Sequence, residues 1–107
     1  MTKYVVRYTV EAQEDLKSIY AYIAFHLKER ATAQKLVNEI RKEIRSLDVM
    51  PERYTRVDWE PWASEGMRKF PVGNFVVYYM VDQTSHHVDV IRIFYGGRDV
   101  ENILSEN

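Results

Sequence analysis

The stretch NFVVYYMVDQTSHHVDVIRIFY, residues 74–95, decides the fold of this chain. It contains two runs rich in β-branched and aromatic residues, 74–82 and 87–95, which are separated by the polar residues QTSH. Two such runs around a short polar turn predict a pair of antiparallel strands. The run 75–81 is apolar on both faces, which is typical of a central strand with one side packed against helices.

The residues before this pair predict two more strands and two helices. KYVVRYTV (3–10) alternates between two faces and MRKFPV (67–72) precedes the central strand, so both are predicted strands. Residues 11–28 carry apolar side chains at helical spacing with acidic residues in the first turns, and residues 33–47 repeat that apolar pattern. Because a short polar segment joins the two, we expect a helical hairpin. The segment MPERYTRVDWEPWASEGM (50–67) contains two prolines and is predicted to be a long loop.

The order β-α-α-β-β-β predicts an α+β fold in a single domain over residues 1–107. A two-helix hairpin packs on one face of a four-stranded, mostly antiparallel sheet. The last residues, 99–107, either form a short C-terminal helix or stay irregular. One helical layer covers only one face of a sheet, and eight of the fourteen aromatic residues are tyrosines. We therefore expect an uncovered, tyrosine-rich face that serves a partner.

Composition narrows the classes of function. The 107 residues are 46% hydrophobic, contain no cysteine and have a formal net charge of -1. The charge argues against a general polyanion binder, and the missing cysteines exclude thiolate metal sites. Since no targeting or membrane-spanning segment is recognisable, we expect a soluble cytoplasmic protein.

Residues 92–99, RIFYGGRD, have the pattern of a strand end and also contain side chains typical of a functional site. Arg92 lies inside an apolar run, and Tyr95 and Arg98 are separated by two glycines that let both side chains turn toward one point. By strand alternation, we expect Arg92 to share a face with Val88, Val90 and Phe94, and Tyr95 to point the other way with Ile91 and Ile93.

One hypothesis is RNA cleavage by attack of the 2'-hydroxyl, which needs a base, cations around the phosphate and an acid. Glu60 would be the base, Arg68 and Arg98 the phosphate clamp, and Tyr95 the acid or a stacking platform. The competing interpretation is structural, and composition alone favours it: arginines near strand ends commonly pair with carboxylates. The carboxylates available for such pairs are Glu60, Asp89, Asp99 and Glu101.

Other candidates are weaker. His86 and His87 are adjacent and diverge in a strand, and His26 is distant in sequence, so we expect no metal site and no cofactor. Trp59 and Trp62 stack on bases in one interpretation and fold back onto the helices in the other. The basic residues Arg41, Lys42 and Arg45 form either a solvated helix face or a contact with nucleic acid or an acidic partner.

Across nearly the whole chain, the ordered features resemble the RelE/ParE superfamily of bacterial toxins from type II toxin-antitoxin systems. They are Ala12-x-x-Asp15-Leu16, Pro51, Gly66-x-Arg68, Tyr79 and Gly97-Arg98-Asp99. The resemblance implies the same hairpin on a sheet. It also implies a cognate antitoxin that wraps the toxin and masks its site, which would explain the uncovered face.

The superfamily contains two functions. RelE-like and YoeB-like members cut mRNA on the ribosome without metal, and ParE-like members inhibit DNA gyrase. Arg68 and Arg98 resemble the arginines of the nucleases, and Glu60 and Tyr95 resemble the base and terminal tyrosine of YoeB-like toxins. This chain departs from them in having Phe94 where YoeB-like toxins have histidine and Leu104 near the last-helix tyrosine of RelE-like toxins.

The sequence thus leaves two hypotheses, with an inactive, degenerate toxin as a third. The slightly favoured one is a ribosome-dependent mRNA endonuclease (an mRNA interferase), because an acid–base candidate and two phosphate ligands remain. The alternative is a non-enzymatic gyrase inhibitor. The partners would be the antitoxin together with either the ribosome and mRNA or DNA gyrase.

Overall fold

The computed structural model describes residues 2–105 and has the predicted α+β architecture. The elements follow in this order: β1 Val5–Tyr8, α1 Val10–Ala21, a π-helical turn Tyr22–His26, α2 Arg30–Arg45, 3-10 turns Ser46–Asp48 and Pro51–Arg53, α3 Trp62–Glu65, β2 Arg68–Val72, β3 Phe75–Asp82, β4 His87–Tyr95 and α4 Val100–Ser105. The two-helix hairpin, the four strands and the short C-terminal helix confirm the predicted elements. The predicted loop 50–67 was wrong in part, because it contains a 3-10 turn and α3.

The sheet has the strand order β1-β4-β3-β2. β2 is antiparallel to β3, and β3 is antiparallel to β4, whereas β1 runs parallel to β4. Thr9 fixes this crossover. Its hydroxyl accepts from the backbone N–H of Ala12 at 3.1 Å, which caps α1, and donates to the carbonyl of Val90 at 2.9 Å, which ties the helix start to β4.

The helical hairpin packs on one face of the sheet and forms the main core there. Both helices bury one apolar stripe, and the strand residues under them are almost fully buried. Among the core residues are Leu16, Ile19, Val37, Ile40, Ile44, Phe70, Val77, Tyr79, Val88, Val90 and Ile93. We call this side of the sheet the helix face.

The opposite face of the sheet, which we call the second face, carries a smaller apolar cluster of its own. Its buried members are Val57, Met67, Tyr78, Phe94, Val100 and Leu104. The segment before β2 and the helix α4 provide the covering side chains, with Trp59 and Trp62 packed at the margin. The expectation of an uncovered face was therefore wrong for this part of the sheet. The irregular segment folds back onto the strands, and Trp59 and Trp62 pack there.

A β-bulge in β4 changes which side chains share a face. Tyr78 and Tyr79 are consecutive in β3, yet they pair with Arg92 and Val90, so Ile91 is the extra residue. The bulge reverses the alternation, and Arg92 therefore does not share a face with Val90. Beyond the bulge Ile93 joins the core on the helix face, and Phe94 joins the second cluster. Within residues 2–105, no helix has the length and apolar character that crossing a membrane requires.

Candidate functional site

Arg92 is held by Asp15 of α1. The guanidinium donates from Nε to Oδ2 of Asp15 at 2.8 Å and from Nη2 to Oδ1 at 3.0 Å, and the backbone N–H of Ile93 donates to Oδ2 at 2.9 Å. The hydrogen bond to Asp15 raises the pKa of Arg92 further above its usual value. β1 pairs only with residues 87–90 of β4. Beyond the end of β1, Asp15 therefore provides the hydrogen-bond acceptor for the backbone N–H of Ile93.

The partner of Arg92 was not among the carboxylates considered from the sequence. Asp89 pairs with Arg7 at 2.8 Å, and Asp99 accepts a hydrogen bond from Asn102 at 2.7 Å. The available signal was the position of Asp15 directly before the core residue Leu16, which places a carboxylate at the margin of the apolar stripe. Arg92 therefore has a structural role.

Arg68 begins β2 and its guanidinium is already engaged. Nη1 donates to the carbonyl of Tyr54 at 2.7 Å, and Nη2 lies 3.7 Å from a carboxylate oxygen of Glu52. The side chain is only 14% exposed. Arg68 borders a cleft of about 530 Å³ in which carboxylates outnumber arginines. Its charged lining residues are Glu52, Arg56, Glu65, Arg68, Asp82 and Asp89.

Glu60 stabilises the start of α3. Its carboxylate accepts the backbone N–H of Ser64 at 3.0 Å and the hydroxyl of Ser64 at 2.8 Å. The backbone N–H of Ser64 is one of the donors that the first turn of a helix leaves without a partner in the helix. The side chain is exposed, on the segment that covers the second face.

Tyr95 and Arg98 lie at the end of β4 and point to different sides. Tyr95 is 54% exposed and its ring packs edge-on against Phe75 at 5.8 Å, on the helix face. Arg98 is exposed, and its guanidinium lies 5.3 Å from the ring centroid of Phe94, which belongs to the second face. The two glycines between them therefore separate these side chains.

The structure does not gather the four candidate residues into one cluster. Arg68 pairs with Tyr79, and Tyr95 pairs with Phe75. The two pairs are four positions apart along β3, which corresponds to about 13 Å along the strand, and two strand spacings of about 5 Å each separate Arg68 from Tyr95 across the sheet. The cleft beside Arg68 is lined by none of the other three. Their proposed catalytic roles stay a prediction.

The histidines His86 and His87 and the basic residue Arg41 contact neighbouring side chains. His87 contacts the hydroxyl of Ser85 at 2.8 Å, and the ring of His86 packs edge-on against Tyr4. Among residues 2–105, no three His, Asp or Glu side chains are grouped as metal ligands. The guanidinium of Arg41 lies 5.7 Å from the ring centroid of Tyr8, whose pKa is raised by burial and lowered less by Arg41 and Arg45.

Comparisons with known proteins agree with this fold. Residues 6–100 match the family described as "ParE toxin of type II toxin-antitoxin system, parDE". No curated protein is a significant match in sequence.

Three solved structures are similar to this chain. A chain from the chromosomal ParDE toxin-antitoxin system of P. aeruginosa is 20% identical with a TM-score of 0.73, over 89% of this chain and 98% of that one. A chain from the RelBE2 toxin-antitoxin complex of Mycobacterium tuberculosis is 18% identical with a TM-score of 0.66, over 87% and 98%. A mutant of the E. coli toxin RelE in the free state is 12% identical with a TM-score of 0.62, over 97% and 93%. At these identities the likeness shows the fold alone.

Proposed function

The chain belongs to the ParE toxin family of type II toxin-antitoxin systems, and from that premise we propose that it arrests growth by binding DNA gyrase, without catalysing a reaction. Gyrase is the target of ParE-like members of the superfamily that the sequence resembles. This is the alternative that the sequence alone placed second, and the geometry of the four candidate residues now favours it.

The surroundings of Arg68 carry the proposal. A phosphate clamp needs a guanidinium that is free to bind and a positive local field. Arg68 donates instead to the carbonyl of Tyr54, lies beside Glu52, and borders a cleft with four carboxylates and two arginines. Such a cleft repels a phosphate, so Arg68 has the contacts of a residue that ties β2 to the preceding segment.

The other three candidates support the same conclusion. The carboxylate of Glu60 is used to hold α3, and Tyr95 and Arg98 point to opposite faces. General base, clamp and acid must lie within hydrogen-bond reach of one phosphodiester. The net charge of -1 adds to this, since ribosome binding favours basic proteins.

The mRNA interferase remains the second candidate, and the exposure of Arg98 favours it. This arginine follows the last strand, as in RelE-like toxins, and its guanidinium is accessible beside Phe94. In either case we expect the toxin to be neutralised by a cognate antitoxin, which is consistent with similar chains having been solved as toxin-antitoxin complexes.

Two assays on the same purified full chain separate the candidates. We expect the toxin to block supercoiling by gyrase and to leave mRNA intact when cleavage is read by primer extension in a translating extract. Arg98→Ala and Glu60→Gln should retain the inhibition. If RNA is instead cut in a ribosome-dependent way, and Arg98→Ala lowers that rate on the order of a hundredfold without unfolding, the nuclease is correct and the gyrase proposal fails.

A further inference from the structure

The turn of the helical hairpin, residues 22–28, exposes three large apolar side chains. We call this segment the hairpin tip. Tyr22 and Phe25 are each 56% exposed and Leu27 is 49% exposed. Single exposed apolar residues are common on protein surfaces, but three within six residues at one end of a hairpin form a patch, and such patches mark interaction sites.

The backbone of the hairpin tip explains why these side chains face solvent. Residues Tyr22–His26 form a π-helical turn, and the N–H of Leu27 donates to the carbonyl of Tyr22 at 3.0 Å, five residues earlier. A π-turn inserts one residue into the helical repeat, and such turns are frequent at functional sites. Ile23 and Ala24 remain buried, so the core is completed without the exposed side chains.

The end of the hairpin tip is strained. Lys28 has a φ of 58°, in the left-handed region that a residue with a Cβ seldom adopts. This conformation costs free energy, on the order of 1 kcal/mol, that a glycine would avoid. Lys28 lines the cleft that Phe25 also lines, so a cationic side chain borders the apolar patch.

The exposed rings contact neighbouring side chains of the chain itself. Tyr22 stacks on His26 with centroids 5.0 Å apart, and Phe25 packs edge-on against Tyr20 at 6.2 Å. The guanidinium of Arg30 lies 5.2 Å from the centroid of Phe25. Because these contacts favour the rotamers that the rings adopt, binding through them loses less conformational entropy than binding through side chains without contacts.

Basic side chains edge the patch. Lys28 and Arg30 line a cleft of about 410 Å³ beside Phe25, and His26 lies on the same turn, whereas Glu29 is the single acidic residue of 22–30. The charge complement of this surface is an acidic one. The patch lies at the end of the hairpin with its apolar side chains exposed, so we expect these side chains to enter an apolar pocket of a folded partner.

We propose that the hairpin tip is the surface through which this toxin binds its target, and that the target presents an apolar pocket edged by carboxylates. The inference rests on the proposed function only for the identity of the target. Aromatic anchors in such contacts usually contribute most of the binding free energy, so Tyr22 and Phe25 should dominate the affinity.

The test uses the full chain with the double substitution Tyr22→Ser and Phe25→Ser, and separately Lys28→Glu. The control is Val10→Ser, which changes a side chain that is 70% exposed at the start of α1. We expect both tip variants to melt near the wild-type temperature and to bind the antitoxin normally. Half-inhibition of gyrase should need a toxin concentration about tenfold higher or more, and growth arrest should weaken in parallel. The control should behave as wild type.

Undiminished growth arrest by both tip variants would overturn the inference. Normal arrest combined with lost antitoxin binding would overturn it too, and would assign the surface to the antitoxin. If the wild-type toxin fails to inhibit gyrase, the proposed function is wrong. Growth arrest can be measured whatever the target is, so it still tests the role of the hairpin tip. If the double variant unfolds, Lys28→Glu decides, since that side chain is exposed and outside the core.

Discussion

Asp15 joins the helical layer to a strand edge that β1 leaves unpaired. One carboxylate accepts two hydrogen bonds from Arg92 and one from the backbone of Ile93, and its side chain is 13% exposed. Loss of this carboxylate would leave a partly buried guanidinium and a backbone N–H without this acceptor, and leaving both unpaired costs more free energy than the intact pair contributes.

We expect Asp15→Asn to lower the free energy of unfolding by about 2 kcal/mol, because the shape is kept while the charge and one acceptor are lost. The matched control is Glu14→Gln. Glu14 is 64% exposed and its carboxylate lies 3.9 Å from Lys17, so its change should stay within about 0.5 kcal/mol. Urea denaturation of both variants measures the difference. Equal effects at the two positions would remove the structural role assigned to Asp15.

Tyr79 makes the free energy of unfolding fall as the pH becomes alkaline. Burial raises the pKa of this tyrosine from 10.0 to about 12, and the hydroxyl donates to the carbonyl of Pro51 at 2.6 Å. A raised pKa means that the unfolded chain loses this proton first. The stabilisation is therefore complete below pH 10 and is lost as the pH rises from 10 to 12.

Tyr79→Phe should accordingly be less stable than wild type by about 1 kcal/mol at pH 8, since it lacks the hydrogen bond to Pro51. The difference should shrink as the pH approaches 12, because phenylalanine has no proton to lose. Urea unfolding curves at intervals between these values test both parts. A difference that is constant across the range would show that Tyr79 is not the titrating group.

At the scale of elements, the local sequence pattern was enough to predict the regular strands and helices. The apolar alternation of β1 and the helical spacing in α1 and α2 are properties of neighbouring residues, and the structure confirms them. The cover of the second face could not be predicted in this way. Its residues come from an irregular segment and from α4, and they share no repeat that a local pattern reveals.

The candidate site failed to assemble for a related reason. The extra residue Ile91 reverses the faces within β4, and no local signal marks it because a bulge depends on pairing with β3. The order of the strands suggests that Arg68 and Tyr95 are close. Their separation along the sheet depends on the pairing register of β2, β3 and β4, which the order of strands does not give. The partner of Arg92 lies 77 residues away in sequence, which composition alone does not reveal.

The helix α4 is predicted to contribute to global stability through Leu104. This side chain is 6% exposed and packs in the cluster of the second face. Leu104→Ala should lower the free energy of unfolding by about 2–4 kcal/mol. The same change at Leu27, which is 49% exposed, should cost far less. Denaturant titration followed by tryptophan fluorescence is suitable, because Trp59 and Trp62 pack against that cluster. A small effect at Leu104 would mean that α4 detaches without unfolding the domain.

At the scale of the whole molecule, the surfaces that remain open differ in shape and charge. The hairpin tip exposes apolar side chains that are edged by cations. The strands β2 to β4 border two clefts. One, of about 530 Å³, contains Arg68 and four carboxylates, and the other, of about 440 Å³, lies beside Lys69, Tyr78 and Gly96. Concave surfaces next to an edge strand fit an extended or helical segment of a partner.

We therefore expect the antitoxin to cover the region of Arg68 and Arg98, and the target to cover the hairpin tip. Hydrogen exchange should show slower exchange within residues 66–98 in the antitoxin complex and within residues 22–28 in the gyrase complex. The Val10→Ser toxin serves as the control, because its changed side chain lies in neither region. The molecule extends 43 × 34 × 21 Å, so an antitoxin on one side can still block a much larger target sterically. Unchanged exchange in residues 66–98 on antitoxin binding would contradict this division of the surface, as would slower exchange of residues 22–28 in the antitoxin complex alone.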